Sequence, residues 1–215
     1  MNDNLYETQY DVTKKPRIRI FYDNNKVVIF STISVFIIAF ISVAFYFSKI
    51  EKKKVELSNK YVTAKIYIDS NKKDKAVIIL KEIILENDPT YSTLSLFLIL
   101  DENLIENQSE TISFFDHVLS SNEFENEIKN LVLFKKALFQ SDFVNEKILI
   151  DSLNPLLNTE SLWKPHALLL VGDFFFSKQE YLKAREFYIK IMQLKNLRKE
   201  MYNHAQMQLI LISND

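Results

Sequence analysis

The fold of this chain is decided by residues 166–192, which read HALLLVGDFFFSKQEYLKAREFYIKIM. Apolar residues recur every three or four positions on both sides of a polar break at 177–179, a spacing that predicts two amphipathic helices joined by a turn. Within this stretch lies Gly172, the only glycine of the sequence. Because glycine has no side chain, two helices can approach closely there while neighbouring aromatic rings fill the gaps. We therefore predict a tightly packed helical hairpin.

The rarity of glycine also excludes several classes of protein. Phosphate-binding loops and dinucleotide-binding folds need several glycines for tight turns and close backbone approach. Proteins built from β-hairpins likewise use glycine at their turns. This chain instead has 47% hydrophobic and 26% charged residues, arranged after residue 50 as amphipathic segments between short polar breaks. The sequence therefore predicts an all-α fold.

A long apolar segment precedes the amphipathic ones. Residues 27–48, VVIFSTISVFIIAFISVAFYFS, contain no charged residue, proline or glycine. As an α-helix this segment would be about 33 Å long, which matches the hydrocarbon core of a bilayer. The alternative is a cleaved signal peptide with a small-residue cleavage site at Ser42, Val43 and Ala44. Since the apolar run continues past these residues, we predict an uncleaved transmembrane signal anchor in contact with the lipid bilayer.

These features divide the chain into four parts. We predict a disordered N-terminal tail at 1–26, the transmembrane anchor at 27–48, a basic juxtamembrane linker at 49–57 and a repeat domain at 58–215. Basic residues lie on both sides of the anchor, so the positive-inside rule gives no orientation. From residue 50 onward, 21 basic and 24 acidic residues give a formal charge of −3. This balance argues against nucleic acid as a partner.

The spacing within residues 166–192 resembles that of tetratricopeptide repeats. In that pattern the first helix carries apolar residues around a glycine, and the second carries an alanine followed by an aromatic residue four positions later. Ala64 and Ala76 fall at equivalent positions of an earlier hairpin, and Ala137 does so in the hairpin before the best one. The residues assigned to packing within repeats are Gly172, Phe175, Tyr181, Ala184, Tyr188, Ala64 and Ala76.

The repeat pattern predicts an α-solenoid of about four tetratricopeptide-like helical hairpins. The hairpin at 93–119 has the expected length but a poor motif. Residues 197–212 form an apolar stripe at helical spacing, and we interpret it as a C-terminal capping helix, which repeat arrays need at their ends. A partner-binding groove on this stripe is the alternative interpretation.

The organisation of the whole chain resembles the bacterial family of ancillary SecYEG translocon subunits, the YfgM-like tetratricopeptide proteins. The shared features are a short tail, one anchor, a basic stretch and degenerate repeats that end in Gly172-Asp173 and, at 181–188, YLKAREFY. The resemblance implies an inner-membrane protein with a cytoplasmic N-terminus and a periplasmic C-terminal domain. It also implies partners among translocon subunits, periplasmic chaperones and exported chains, which the protein would help to hand to those chaperones. The chain departs from the family where Ser177, Lys178 and Gln179 replace a second glycine.

Two other interaction roles remain open, and an enzymatic role is not expected. The protein could be a general cell-envelope scaffold, for division or outer-membrane assembly, or a docking receptor that faces the cytosol. His117, His166 and His204 are far apart and have no His or Cys at ligand spacing, so no metal site is predicted. A Gly-x-Ser-x-Gly nucleophile motif needs two glycines. We expect no catalytic residue, no cofactor and no small-molecule substrate.

Binding by a repeat array usually uses the concave surface, which its first helices line. The candidate binding residues at those positions are His166, Leu169, Asp173, Phe176, Tyr61 and Lys65. Arrays that grip a C-terminal carboxylate place lysine and asparagine together, and only Lys65 meets that requirement. We therefore expect an extended segment or a domain of a partner protein as the ligand.

Overall fold

A computed structural model describes residues 17–214 of the chain. The described residues form α-helices and contain no β-strand. The all-α prediction is therefore confirmed for this part of the chain. In chain order the helices are α1 (Arg17–Asp69), α2 (Lys73–Leu85), α3 (Tyr91–Asp101), α4 (Gln108–Ser121), α5 (Asn126–Gln140), α6 (Glu146–Leu157), α7 (Lys164–Ser177), α8 (Tyr181–Met192) and α9 (Lys199–Asn214).

The apolar segment at 27–48 lies within α1. The part of α1 from residue 24 has an 18-residue window with a mean hydropathy of 2.7, and none of that window is buried. Its length and composition suit a membrane span, and they also suit an N-terminal signal sequence. By contacts, the chain divides into two compact units, Met1–Val55 and Glu56–Asp215.

The predicted boundaries around the span need correction. Helix α1 begins at Arg17, so residues 17–26 are helical and not disordered, whereas the predicted tail at 1–16 lies outside the described residues. The basic segment at 49–57, predicted as a juxtamembrane linker, lies within the same helix. The physical reason is that no proline or glycine interrupts residues 17–69, so the backbone hydrogen-bond ladder continues in both directions from the apolar segment.

The second unit contains two apolar cores built mainly by neighbouring helices. Extensive contacts join helices that are adjacent in sequence or separated by one helix. The first core is centred on Ala64, Ala76, Leu80, Ile84, Leu96, Phe115 and Val132. The second is centred on Ala137, Leu149, Leu153, Val171, Phe175, Tyr188 and Ala205. Each core therefore draws side chains from consecutive helices, with α5 contributing to both.

Two helices approach closely where α7 meets α8. Gly172 is buried in α7, and a Cβ atom at this position would lie 2.8 Å from Cε1 of Tyr188. The Tyr188 ring is 0% exposed, as is Ala184 one turn earlier on α8. A side chain at position 172 would therefore displace a buried ring that has little room to move.

The turns between helices explain how the chain manages with one glycine. Positive φ angles occur at Asn71, Asn87, Asn103 and Asn196, and at Gln179 with φ 61°. After α7, the amide of Gln179 donates to the carbonyl of Phe176, and the amide of Glu180 donates to that of Phe175, both at 2.9 Å. This is the Schellman pattern, whose left-handed residue is most often glycine and sometimes asparagine. Asparagine tolerates the left-handed region better than other residues with a side chain.

A glycine at the α7–α8 turn should stabilise the protein. We expect Gln179→Gly to raise the free energy of unfolding by about 0.5–1 kcal/mol. The substitution relieves the strain of the left-handed backbone, and this gain is larger than the additional conformational entropy that glycine loses on folding. Thermal unfolding of the full chain in detergent micelles should show a melting temperature about 2 °C higher.

The matched control is Arg185→Gly, at an exposed position inside α8. There glycine relieves no strain and should lower the free energy of unfolding by about 0.5–1 kcal/mol. Equal destabilisation by both substitutions would contradict a strained Gln179.

Candidate functional site

Side-chain contacts connect the odd-numbered helices of the second unit. Among these contacts, the Tyr61 and Tyr91 rings have centroids 6.3 Å apart, Lys135 Nζ lies 5.5 Å from the centroid of the Phe97 ring, the Phe134 and His166 rings have centroids 5.7 Å apart, and His204 Nε2 lies 2.9 Å from Asp173 Oδ1. They link α1 to α3, α3 to α5, α5 to α7 and α7 to α9 in turn. We call the partly or fully exposed side chains of these helices from residue 56 onward the odd-helix face.

The predicted binding residues lie on the odd-helix face. His166, Leu169, Asp173 and Phe176 are all partly exposed, at spacings that keep them on one side of α7. In the C-terminal part of α1, Tyr61 is partly exposed and Lys65 is exposed. The structure thus divides the six candidates between α7 and the C-terminal part of α1.

Asp173 joins three helices. Its Oδ1 atom accepts a hydrogen bond from the Tyr188 hydroxyl at 2.7 Å and one from His204 Nε2 at 2.9 Å. Burial, then the hydrogen bond to Asp173 and its charge, raise the pKa of Tyr188, so the phenol stays protonated as a donor. The sequence did not predict the hydrogen bond between His204 and Asp173, since a single histidine on α9 belongs to no motif. Asp173 therefore contributes to the packing of α7, α8 and α9 as well as to the exposed face.

The residues assigned to repeat packing lie mainly in the interior. Ala64, Ala76, Gly172, Ala184 and Tyr188 are buried. Phe175 is also buried, and its ring stacks on that of Phe187 with centroids 5.7 Å apart. Tyr181 is only partly buried, and its ring lies 5.6 Å from that of Phe176 on the odd-helix face.

His166 lies in an aromatic cluster at the N-terminal end of α7. Its ring centroid is 5.1 Å from that of Trp163 and 5.7 Å from that of Phe134. Burial lowers the pKa of His166, a backbone hydrogen bond with Leu162 opposes this effect, and the positive charge of Arg198 lowers it further. The fold therefore favours the neutral imidazole.

An apolar opening on the odd-helix face was not anticipated from the sequence. We call it the α3–α5 groove, and its volume is about 530 Å³. It is lined by Pro89, Thr90, Thr93, Leu94, Phe97, Glu123, Phe124, Glu125, Ile128 and Leu131. The poor repeat motif of residues 93–119 gave no signal for it, because the opening arises from how α3 packs beside the α4–α5 connection.

A second opening lies between the N-terminal end of α7 and the connection from α8 to α9. We call it the α7–α9 pocket, with a volume of about 350 Å³. Its lining includes Trp163 and His166 together with the basic residues Lys195 and Arg198. The two openings therefore differ in sign of charge, since the charged residues that line the α3–α5 groove are glutamates.

At both openings, apolar side chains lie beside charged ones. Within residues 17–214, no group of three or more His, Asp or Glu side chains is arranged to hold a metal ion. The polar cluster of Tyr188, Asp173 and His204 uses its hydrogen bonds to connect helices. Exposed apolar side chains beside unpaired charges are typical of surfaces that contact other proteins.

Comparison of the chain with models of protein families, with curated proteins and with solved structures finds no match. The resemblance to tetratricopeptide proteins thus depends on the residues of the chain itself, above all on 166–192. A function for the domain has to be inferred from the geometry and chemistry of its surfaces.

The lowered pKa of His166 predicts a pH-dependent stability. The unfolded chain binds a proton at His166 near pH 6.5, whereas the folded protein binds it only at lower pH. The contribution of His166 is therefore complete above about pH 6.5 and is lost as the pH falls below that value.

We expect the melting temperature of the full chain to fall between pH 7.5 and pH 5.5, and to fall less in His166→Phe. Phenylalanine keeps a ring against Trp163 and Phe134 but cannot bind a proton. At pH 7.5, where His166 is neutral, the variant should be about as stable as the unaltered chain, which controls for the replacement of the ring itself. An identical fall in both proteins would contradict the assignment to His166.

Proposed function

We propose that the chain is a single-pass membrane protein whose C-terminal domain is a tetratricopeptide-like solenoid that binds other proteins. The observation that supports this proposal is the odd-helix face, on which alternate helices contact each other in sequence order. In repeat arrays each unit contacts its neighbours, and the first helices line an extended binding surface.

The order of the helices favours this interpretation. The C-terminal part of α1 precedes α2, and the pairs α3–α4, α5–α6 and α7–α8 follow before α9 closes the series. Extensive contacts between helices reach no further than the next helix but one. Such short-range packing is typical of solenoids, whereas many globular helical folds bring distant segments together.

The exposed apolar segment supports a membrane anchor. Side chains along 27–48 have no core to cover them, as expected for a helix in lipid. The same helix continues to Asp69 and contributes Ala64 to the first apolar core. We propose that this segment is retained as an uncleaved anchor and that the repeat domain acts at the membrane surface.

For the cellular role, we propose the one implied by the family resemblance. The domain would lie in the periplasm next to the SecYEG translocon and would help to hand exported chains to periplasmic chaperones. An exposed apolar groove suits this role, because chains that have just crossed a membrane still expose their apolar segments. The alternatives, a general envelope scaffold and a receptor facing the cytosol, predict different partners or a different topology.

A reporter fusion tests the orientation. Alkaline phosphatase fused after Asp215 should be active, since the enzyme needs an oxidising compartment to form its disulfides. A fluorescent protein that matures only in the cytosol, fused at the same place, should stay dark. The reverse pattern would contradict a periplasmic domain and favour the cytosol-facing receptor.

Crosslinking in living cells tests the partners. A photoreactive residue at Phe176 or at Leu138, which is 42% exposed, should capture translocon subunits, chaperones or exported chains. The matched control is Leu182 on α8, which is 81% exposed but lies off the odd-helix face. Recovery of cytosolic proteins alone would overturn the proposal, and recovery of division or outer-membrane assembly proteins would replace the translocon role by the scaffold role.

A further inference from the structure

We propose that the α3–α5 groove binds a segment of a partner protein in which apolar side chains stand next to basic residues. This inference rests on the proposed function of the odd-helix face in protein binding and specifies the chemistry of the bound segment. The groove has an apolar floor, a fixed wall on α3 and two exposed glutamates.

The floor of the groove is apolar and open to solvent. Leu94 is 41% exposed and Ile128 is 43% exposed, and both line the groove beside Phe97. A volume of about 530 Å³ lies within the range of about 300–1,000 Å³ that is usual for ligand-binding pockets. Several large apolar side chains exposed together usually mark an interaction site.

Hydrogen bonds hold the α3 wall of the groove in place. The buried Asp88 accepts hydrogen bonds from the backbone amides of Thr90 at 3.0 Å and Tyr91 at 2.8 Å. Ser92 donates to the carbonyl of Ile83 at 3.0 Å, which ties the start of α3 to α2. A wall fixed in this way loses little conformational freedom when a segment binds, so more of the contact energy is available for affinity.

The charge of the groove selects its ligand. Glu123 and Glu125 line it, are exposed and form no ion pair within residues 17–214. On α5, Lys135 lies over the Phe97 ring, but its Nζ atom is 3.8 Å from Asp101, which offsets its charge. A lysine or arginine beside the apolar part of a bound segment would therefore meet uncompensated negative charge.

The α7–α9 pocket provides an internal comparison. It too lies between the N-terminal end of an odd-numbered helix and the connection before the next odd-numbered helix, but it presents Lys195 and Arg198. Both openings contain aromatic side chains, so apolarity alone does not distinguish them. A basic segment should prefer the α3–α5 groove because of the two glutamates.

Peptide binding to the full chain tests this inference. The protein is placed in nanodiscs of zwitterionic phosphatidylcholine, and empty discs measure binding to lipid. The probes are two fluorescein-labelled octapeptides of Leu and Phe residues that begin with two lysines or with two aspartates. We expect the lysine peptide to bind at least about fivefold more tightly, as measured by fluorescence anisotropy.

Three variants locate the binding. Changing Glu123→Lys together with Glu125→Lys should abolish or reverse the preference for the lysine peptide. Ile128→Ser should weaken binding of that peptide, and Arg198→Glu in the α7–α9 pocket should leave it unchanged. Since all four positions are exposed, the helical circular dichroism spectrum should be retained, which separates loss of binding from loss of the fold.

Several results would overturn the inference. Equal affinity for the two peptides would show that the groove does not select its ligand by charge. The same conclusion would follow if Arg198→Glu changed the affinity for the lysine peptide as much as the two glutamate substitutions do. A dimer of the full chain that Ile128→Ser dissociates would make a second copy the occupant. If crosslinking from the odd-helix face still captures partners in these cases, the proposed function survives. If peptide binding is as expected but the reporter lies in the cytosol, the inference survives and the proposed periplasmic role fails.

Discussion

The contact between the Tyr188 ring and Gly172 is the interaction on which the C-terminal half of the domain depends. The ring occupies the space that a side chain at position 172 would need, because a Cβ atom there would lie 2.8 Å from Cε1 of Tyr188. Its hydroxyl is held by Asp173, which also accepts from His204. One residue pair on α7 therefore sets the positions of α8 and α9 together, because the glycine allows the approach and the aspartate fixes its geometry.

One face of the domain stays partly open. Helices that follow one another share the two apolar cores, and α5 with α7 and α7 with α9 are also in direct contact. Apolar side chains of α3 and α5, such as Leu94 and Ile128, remain exposed to solvent. We propose that this open face is the binding surface and that Glu123 and Glu125 select the segments it accepts.

The sequence predicted the helical class and much of the interior, because apolar periodicity reports burial directly. Gly172 was recognised because its neighbours carry a spaced motif. The prediction of a disordered tail is wrong for residues 17–26, because no proline or glycine separates them from the apolar helix that follows. Left-handed turn residues such as Asn71 were not identified either. The α3–α5 groove and the Asp173–His204 bond depend on how next-but-one helices pack, and no local pattern records that.

The central claim is that the contact between Gly172 and Tyr188 stabilises α7, α8 and α9 but not the helices before them. Hydrogen exchange of the full chain carrying Gly172→Leu tests this claim. The larger side chain should displace Tyr188, so amides of α7, α8 and α9 should exchange faster while those of α2, α3 and α4 keep their protection. Arg185→Leu, at an exposed position of α8, should change neither group. Unchanged protection in α7–α9, or an equal loss from α2 to α9, would contradict the account.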